Sequence, residues 1–268
     1  MKIKDFLDQA TKKLEGAGIG TARLDSLVLL EDELGKERSW LLSRPEIALQ
    51  GRTLQSVNAK LERRLDHEPL AYIRGKTEFY GREFYIDNRV LEPRPESETM
   101  IELLKALRLP VTTKIADVGS GSGALGITAY LEVPRARVDF YDIDPQTLEV
   151  AEHNANAHKV LSRYFHSDLL QRAPQAYDVV LANLPYVPAR YQINQAARHE
   201  PSVAIFGGGD GLALYRRLFN QLSFSYVKPR YVLTESMPFQ RAGLQLIAES
   251  AGFRFHRHQD FIQVFEGQ

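Results

Sequence analysis

From Thr113 onward the chain alternates between short apolar runs rich in β-branched residues and longer stretches with helical spacing. The runs Ile115–Val118, Val138–Tyr141, Tyr177–Ala182 and Tyr231–Thr234 predict strands, and Pro145–His158, Leu212–Leu222 and Gln240–Ala251 predict helices. This alternation predicts an α/β fold, a doubly wound, mostly parallel Rossmann-like sheet with helices on both faces. In such sheets ligands sit beyond the carboxyl ends of the strands, near the point where strand order reverses. The loops that follow the strands are therefore where chemistry is expected.

The first third has a different period. Leu24, Leu27, Val28 and Leu34 recur at helical spacing between Thr21, an N-cap candidate, and Gly35, and Leu54, Val57, Leu61 and Leu65 repeat the pattern. A small helical bundle follows from these. Between it and the α/β region, "EFYGREFYI" alternates aromatic and polar residues around Gly81-Arg82 and predicts a short hairpin. The expected organisation is a helical domain at 1–71, a hairpin linker at 72–95 and the α/β domain at 96–268.

Composition narrows the possible functions. A chain of 268 residues with 44% hydrophobic content can bury one full core and a smaller one. It contains no cysteine, which excludes disulfides, thiolate metal sites and cysteine nucleophiles, and no metal site is expected. No apolar run approaches the roughly 18 residues of a membrane span, and Met1–Phe6 lacks the apolar core of a secretory leader. The expectation is a cytoplasmic protein with no membrane partner. Lys plus Arg and Asp plus Glu balance at 34 each, so there is no overall basic field and nucleic acid is not expected as the direct substrate.

Two stretches carry candidate chemistry. The first, Asp117-Val118-Gly119-Ser120-Gly121-Ser122-Gly123-Ala124, is a glycine-rich turn from strand into helix, where a backbone without Cβ can approach a cofactor. Gly119-x-Gly121-x-x-Ala124 also fits the dinucleotide fingerprint, with Asp142 at the distance of a ribose-binding carboxylate. Nicotinamide and other adenosine cofactors both remain open at this point. Asp142 could alternatively cap the helix that starts at Pro145, although Asp144 is better placed for that.

The second stretch, Asn183-Leu184-Pro185-Tyr186, follows directly on an apolar run. Asn183 offers a side-chain carbonyl and Leu184 a backbone carbonyl, and Pro185 restricts both its own φ and the residue before it. Tyr186 adds a flat face. Such a group can receive a planar amino group, a carboxamide or the exocyclic amine of a base, through acceptors for its two hydrogens. A nicotinamide enzyme has no use for it, whereas an aligned sulfonium methyl would be a suitable electrophile. His166 and His199 stand alone and are read as structural.

The two motifs together resemble S-adenosylmethionine-dependent methyltransferases that modify planar amino nitrogens. "PLAYIRGKTEFYG" (69–81), "VLEPRPESE" (90–98) and "HEPSVAIFGGGDGL" (199–212) narrow the resemblance to the HemK/PrmC family, protein-(glutamine-N5) methyltransferases of peptide-chain release factors. The resemblance covers nearly the whole chain. It implies methylation of the glutamine in a Gly-Gly-Gln motif, with the helical domain docking the release factor and the chain acting as a monomer. It also implies that Asp117, Gly119, Ser120, Gly121, Ser122 and Gly123 contact S-adenosylmethionine, with Asp142 at its ribose and Asp168 and Leu169 at its adenine. Asn183 to Tyr186 would hold the amide, Asn183 also meeting the cofactor. Arg94 beside Glu96 and Glu98 could equally brace a loop or touch substrate, and is assigned no catalytic role.

The family usually has proline where Leu184 stands, and an apolar residue where Glu92 stands. Asn-Leu-Pro-Tyr is also the spelling in ribosomal RNA adenine dimethyltransferases. That activity, methylation of a ribosomal-protein glutamine, and a cofactor-binding scaffold without turnover are the alternative readings.

Overall fold

The computed structural model describes residues 1–268. Contacts divide it into two units, Met1–Gly75 with Asn194–His199, and Lys76–Ile193 with Glu200–Gln268.

The first unit contains α1 (Ile3–Gly16), α2 (Ala22–Leu34), α3 (Arg38–Leu42), α4 (Gly51–Leu65) and α5 (Leu70–Arg74). Ile3, Phe6, Leu7, Ala10 and Leu14 line the inner face of α1, and Val57 and Leu61 that of α4. The inner side of α2 is not the one its leucine spacing predicts. Leu27, Leu29 and Leu30 are buried, whereas Leu24 is 46% exposed. The reason is that α2 packs against both α1 and α4, so it is covered over more than one stripe. Thr21 precedes α2 but makes no side-chain cap bond. Asp25 on α2 is buried and receives a hydrogen bond from Arg64 Nε on α4 at 2.7 Å. Asn194–His199 joins this unit, with His199 Nε2 2.7 Å from the Asp66 carbonyl.

The second unit opens with the antiparallel hairpin β1 (Lys76–Phe79) and β2 (Arg82–Tyr85). Tyr80 and Gly81 both have positive φ, 53° and 71°, the turn whose twist matches a two-residue hairpin. The segment read as a linker thus divides: α5 continues to Arg74, and the hairpin packs into the α/β unit. Phe79 and Phe84 are buried in the same core as Met100, Ile127 and Phe140.

After α6 (Glu98–Lys105), the chain runs β3 (Lys114–Val118), α7 (Ala124–Glu132), β4 (Arg137–Asp142), α8 (Pro145–Ala157), β5 (Arg163–His166) and β6 (Val179–Ala182). It ends with α9 (Ala213–Ser223), β7 (Tyr231–Glu235), α10 (Arg241–Ser250), β8 (Phe253–Gln259) and β9 (Ile262–Gly267). The sheet order is β5-β4-β3-β6-β7-β9-β8, parallel from β5 to β7 and antiparallel at β9 and β8. Adjacent residues of β3 serve opposite cores, Ile115 with the residues of α6, α7 and α8, Ala116 with those of α9 and α10. Order reverses between β3 and β6, whose carboxyl ends lie side by side with Val118 opposite Ala182.

Three strands escape the apolar-run criterion. Polar residues interrupt β5, β8 and β9, as in Arg163, Gln263 and, at alternate positions of β8, Arg254, His256 and His258. Tyr177, placed in a strand by its apolar run, precedes β6; its hydroxyl donates to the buried Asp139 at 2.6 Å. Removing one partner of a buried ion pair typically costs about 3 to 5 kcal/mol. Asp25→Ala should therefore destabilise the helical unit by roughly 3 kcal/mol, and urea unfolding followed by the fluorescence of Trp40 would measure it.

Candidate active site

The carboxyl end of β3 leads into the glycine turn. Gly119 and Ser120 donate their N–H groups to the Tyr141 carbonyl at 2.8 and 3.1 Å, and Gly123 donates to Ser120 at 2.8 Å. Gly121 N–H donates to Asp142 Oδ2 at 3.1 Å, and Asp144 N–H to Asp142 Oδ1 at 3.1 Å. Asp144 itself caps α8, accepting from Gln146 N–H at 2.8 Å ahead of Pro145. Asp142 is thus free of the capping role and holds the turn against β4.

This turn has few backbone donors left for a phosphate, because four of its N–H groups are already committed. The arginines beside it are committed as well: Arg89 pairs with Asp87 and Glu149, Arg94 with Glu200, and Arg217 with Asp168. A pyrophosphate needs free donors or cations. The committed N–H groups and arginines leave little at this turn to bind a phosphate.

One pocket gathers most of the candidate residues. Its wall includes Gly119, Ser120, Gly121 and Ser122, then Asp142, Asp168 and Leu169, and Asn183, Leu184 and Pro185 at the end of β6. Asp117, Gly123 and Tyr186 are not on that wall. Asp117 is buried and accepts from Gly126 N–H in α7 at 2.8 Å, so it ties the turn to its helix. A Cβ on Gly123 would meet Ala151 and Ile127, which places it under the turn.

The Asn183–Tyr186 turn is held from behind. The Leu184 N–H, which a proline would lack, donates to the buried Tyr215 hydroxyl at 3.3 Å, and that hydroxyl lies 2.5 Å from the Glu235 carbonyl. The Leu184 side chain is buried against Gly119, where a Cβ would come within 3.0 Å of its Cδ2. Val187 exchanges hydrogen bonds with Ile205 and Gly207 at 3.0 and 2.9 Å. A Cβ on Gly207 would fall far inside contact with the Pro185 carbonyl, and one on Gly211 with the Tyr186 carbonyl, so glycine at the first and last positions of "GGGDG" is a steric requirement of the turn.

Three residues at this site are given no role by sequence; Ser97 and Glu200 lie within the stretches 90–98 and 199–212, and Glu235 lies outside every motif. Ser97 Oγ accepts from Asn183 Nδ2 at 3.0 Å and donates to Glu235 Oε2 at 2.6 Å, while the Tyr186 hydroxyl donates to Glu235 Oε1 at 2.9 Å. Glu200, beyond them, accepts from Arg94 at 2.5 Å and from the Glu92 N–H at 3.3 Å. Arg94 is therefore a brace, but its partner is Glu200 and not the adjacent Glu96 or Glu98. Only a carboxylate at the end of an apolar run, Glu235 after Tyr231–Thr234, could have signalled this cluster in advance. His166 Nε2 lies 3.0 Å from the Ile143 carbonyl, consistent with a structural role.

Burial pushes up the carboxylic acids around the site. Asp117 rises to about 7, with the Gly126 N–H opposing the shift, and Asp142, Glu200 and Glu235 are also raised by burial. At Glu235 the hydrogen bonds from Ser97, Tyr186 and Asn183 oppose that shift and favour the ionised carboxylate.

A Rossmann-like sheet with a phosphate-poor cofactor pocket and a planar acceptor turn after β6 defines a methyltransferase domain. Residues 97–200 match the methyltransferase small domain model, and residues 5–75 match the PrmC N-terminal domain model. The fold also resembles the T. thermophilus 16S rRNA N2 G1207 methyltransferase, solved with AdoMet and guanosine, at a TM-score of 0.53 and 18% identity, covering 72% of this chain and 50% of that one. Among curated relatives, the release factor glutamine methyltransferase of Coxiella burnetii is 34% identical over 237 residues, 87% of this chain and 86% of the relative. That of Koribacter versatilis is 35% identical over 235 residues, covering 85% and 84%. The chain belongs to the release factor glutamine methyltransferase family.

Two outcomes test this description. Gly211 has φ +80° and faces the Tyr186 carbonyl, so Gly211→Ala should cost at least about 2 kcal/mol in chemical denaturation. Asp117 has a raised folded-state pKa, so the native state binds its proton more tightly than the unfolded chain. Its contribution to stability is complete below the ordinary carboxylate pKa and is lost as pH rises through about 7. Asp117→Asn should flatten the decline in Tm between pH 4 and 8; an unchanged decline would contradict this account of Asp117.

Proposed function

We propose that the chain transfers a methyl group from S-adenosylmethionine to the side-chain amide nitrogen of the glutamine in the Gly-Gly-Gln motif of peptide-chain release factors. The observation that carries this reading is the Asn183 amide, whose nitrogen is donated to Ser97, leaving its carbonyl oxygen as an acceptor beside the glycine turn in one pocket.

The residues present fit this cofactor. Ser120 Oγ is buried in the pocket wall without a hydrogen-bond partner, an unmet demand that a polar ligand would answer. Gly119 to Ser122 would border the cofactor, with Asp142 at the ribose hydroxyls and Asp168 and Leu169 near the adenine. When bound, the sulfonium supplies an electrophilic methyl and a positive charge. That charge suits a pocket surrounded by buried carboxyl groups.

Asn183 and the Leu184 carbonyl would accept the two hydrogens of the glutamine amide. This localises the nitrogen lone pair and holds the amide at a fixed angle. Held there, the amide nitrogen would take the methyl carbon, the carbon–sulfur pair leaving with sulfur, and would then lose one proton to water. Pro185 keeps the acceptors in place, and Tyr186 supports the turn through Glu235. The helical unit would dock the folded release factor, a contribution of binding energy remote from the reacting atoms.

Hydrogen bonds to charged groups contribute about 1.5 to 3 kcal/mol each. Asp142→Ala should therefore weaken S-adenosylmethionine binding by about ten- to a hundredfold in calorimetry. Asn183→Ala should lower single-turnover methylation by on the order of a hundredfold, with a smaller loss of cofactor affinity. Tritiated-cofactor assays run with release factor, ribosomal particles and free RNA side by side decide the substrate class. Label in the release factor is expected, and label in RNA alone would refute the reading.

A further inference from the structure

We propose that Glu235 is the positioning residue of the amide site, fixing, directly and through Ser97, which end of the Asn183 amide faces the pocket. The inference rests on the reading of Asn183 as the acceptor for the substrate amide.

The argument is one of proton counting. An ionised carboxylate can only accept, and a hydroxyl carries one proton. Glu235 Oε2 takes the proton of Ser97 Oγ at 2.6 Å, and Oε1 takes that of Tyr186 at 2.9 Å. With its proton committed, Ser97 can meet Asn183 only as an acceptor, so the end of the amide that turns toward it at 3.0 Å must be the NH2. The carbonyl oxygen is then left on the opposite side of the side chain, as an acceptor. Had the serine proton been free, the amide could have turned over and presented hydrogens to a substrate nitrogen that also carries hydrogens.

The same carboxylate sets the tyrosine. Tyr186 gives its only hydroxyl proton to Glu235, while its carbonyl accepts from Gln240 Nε2 at 2.7 Å. Glu235 is held on the last position of β7, beside the carboxyl end of β6, and is 1% exposed. A charge so deeply buried is expensive. A glutamine would fill the same volume without that cost, but its NH2 could donate to Ser97 and release the serine proton toward Asn183. The cost is consistent with a requirement for acceptance on both oxygens.

The test uses Glu235→Gln and Ser97→Ala in the full chain. Each should lower kcat for release factor methylation by about ten- to a hundredfold. KM for the factor and the cofactor Kd should stay within about twofold, which also shows that the variants are folded. Adding Glu235→Gln to Asn183→Ala should cost much less than Glu235→Gln costs alone, because most of its effect passes through Asn183. Losses that multiply across the two sites would overturn the proposal.

A second readout needs no turnover. In 15N spectra of the free protein, an Asn183 side-chain proton should exchange slowly through its bond to Ser97, and both variants should abolish that protection. Unchanged Asn183 signals in both variants would also overturn the inference. Failure of the wild-type chain to methylate a release factor would instead count against the functional reading, with the spectra still deciding the role of Glu235.

Discussion

The backbone carbonyls of Pro185 and Tyr186 are covered by Gly207 and Gly211 so closely that no side chain fits between them. Everything that makes the turn after β6 usable follows from that approach. It brings the segment after Ile205 alongside Val187 in a pair of backbone hydrogen bonds, so the turn cannot swing away from the sheet. It also leaves Leu184 to fill the space against Gly119, which joins the two halves of the pocket. Leucine at this position gives up the fixed φ of a proline but gains an N–H, and Tyr215 receives it. The substitution is thus accommodated by a hydrogen bond that the more usual proline could not make.

Charge gives the site its second character. Carboxyl groups of Asp117, Asp142, Glu200 and Glu235 are all raised by burial, and the neighbouring arginines are occupied by carboxylates of their own. Such surroundings disfavour a pyrophosphate and favour a cation. The glycine turn has the same bias, since most of its N–H groups are spent on Tyr141, Asp142 and Ser120. A Rossmann-type fingerprint can therefore occur in a turn that is a poor phosphate cradle, and its hydrogen bonding distinguishes the two cases.

The central strands were legible because parallel strands covered on both faces are mostly apolar, and β3, β4, β6 and β7 each carry an apolar, buried run. β5, β8 and β9 were not, since polar residues such as Arg163, Arg254 and Gln263 break their apolar runs. The glycine turn and Asn183–Tyr186 could be read as motifs, each being contiguous in sequence. The contact of Ser97, which lies in the 90–98 stretch, with Glu235 could not, because the two are 138 positions apart and meet only once the sheet has formed. Leu24 misled for a related reason: spacing alone predicts one buried stripe, and a helix packed on two neighbours has a wider one.

The central claim is that Asn183 presents an acceptor, and not a donor, to a glutamine amide lying beside the cofactor. A crystal structure of the chain with S-adenosylhomocysteine and a Gly-Gly-Gln peptide tests it most directly. The account predicts the glutamine nitrogen within hydrogen-bond distance of both Asn183 Oδ1 and the Leu184 carbonyl, with Asn183 Nδ2 still on Ser97. A glutamine seated elsewhere, or an Asn183 amide turned with its oxygen toward Ser97, would contradict it.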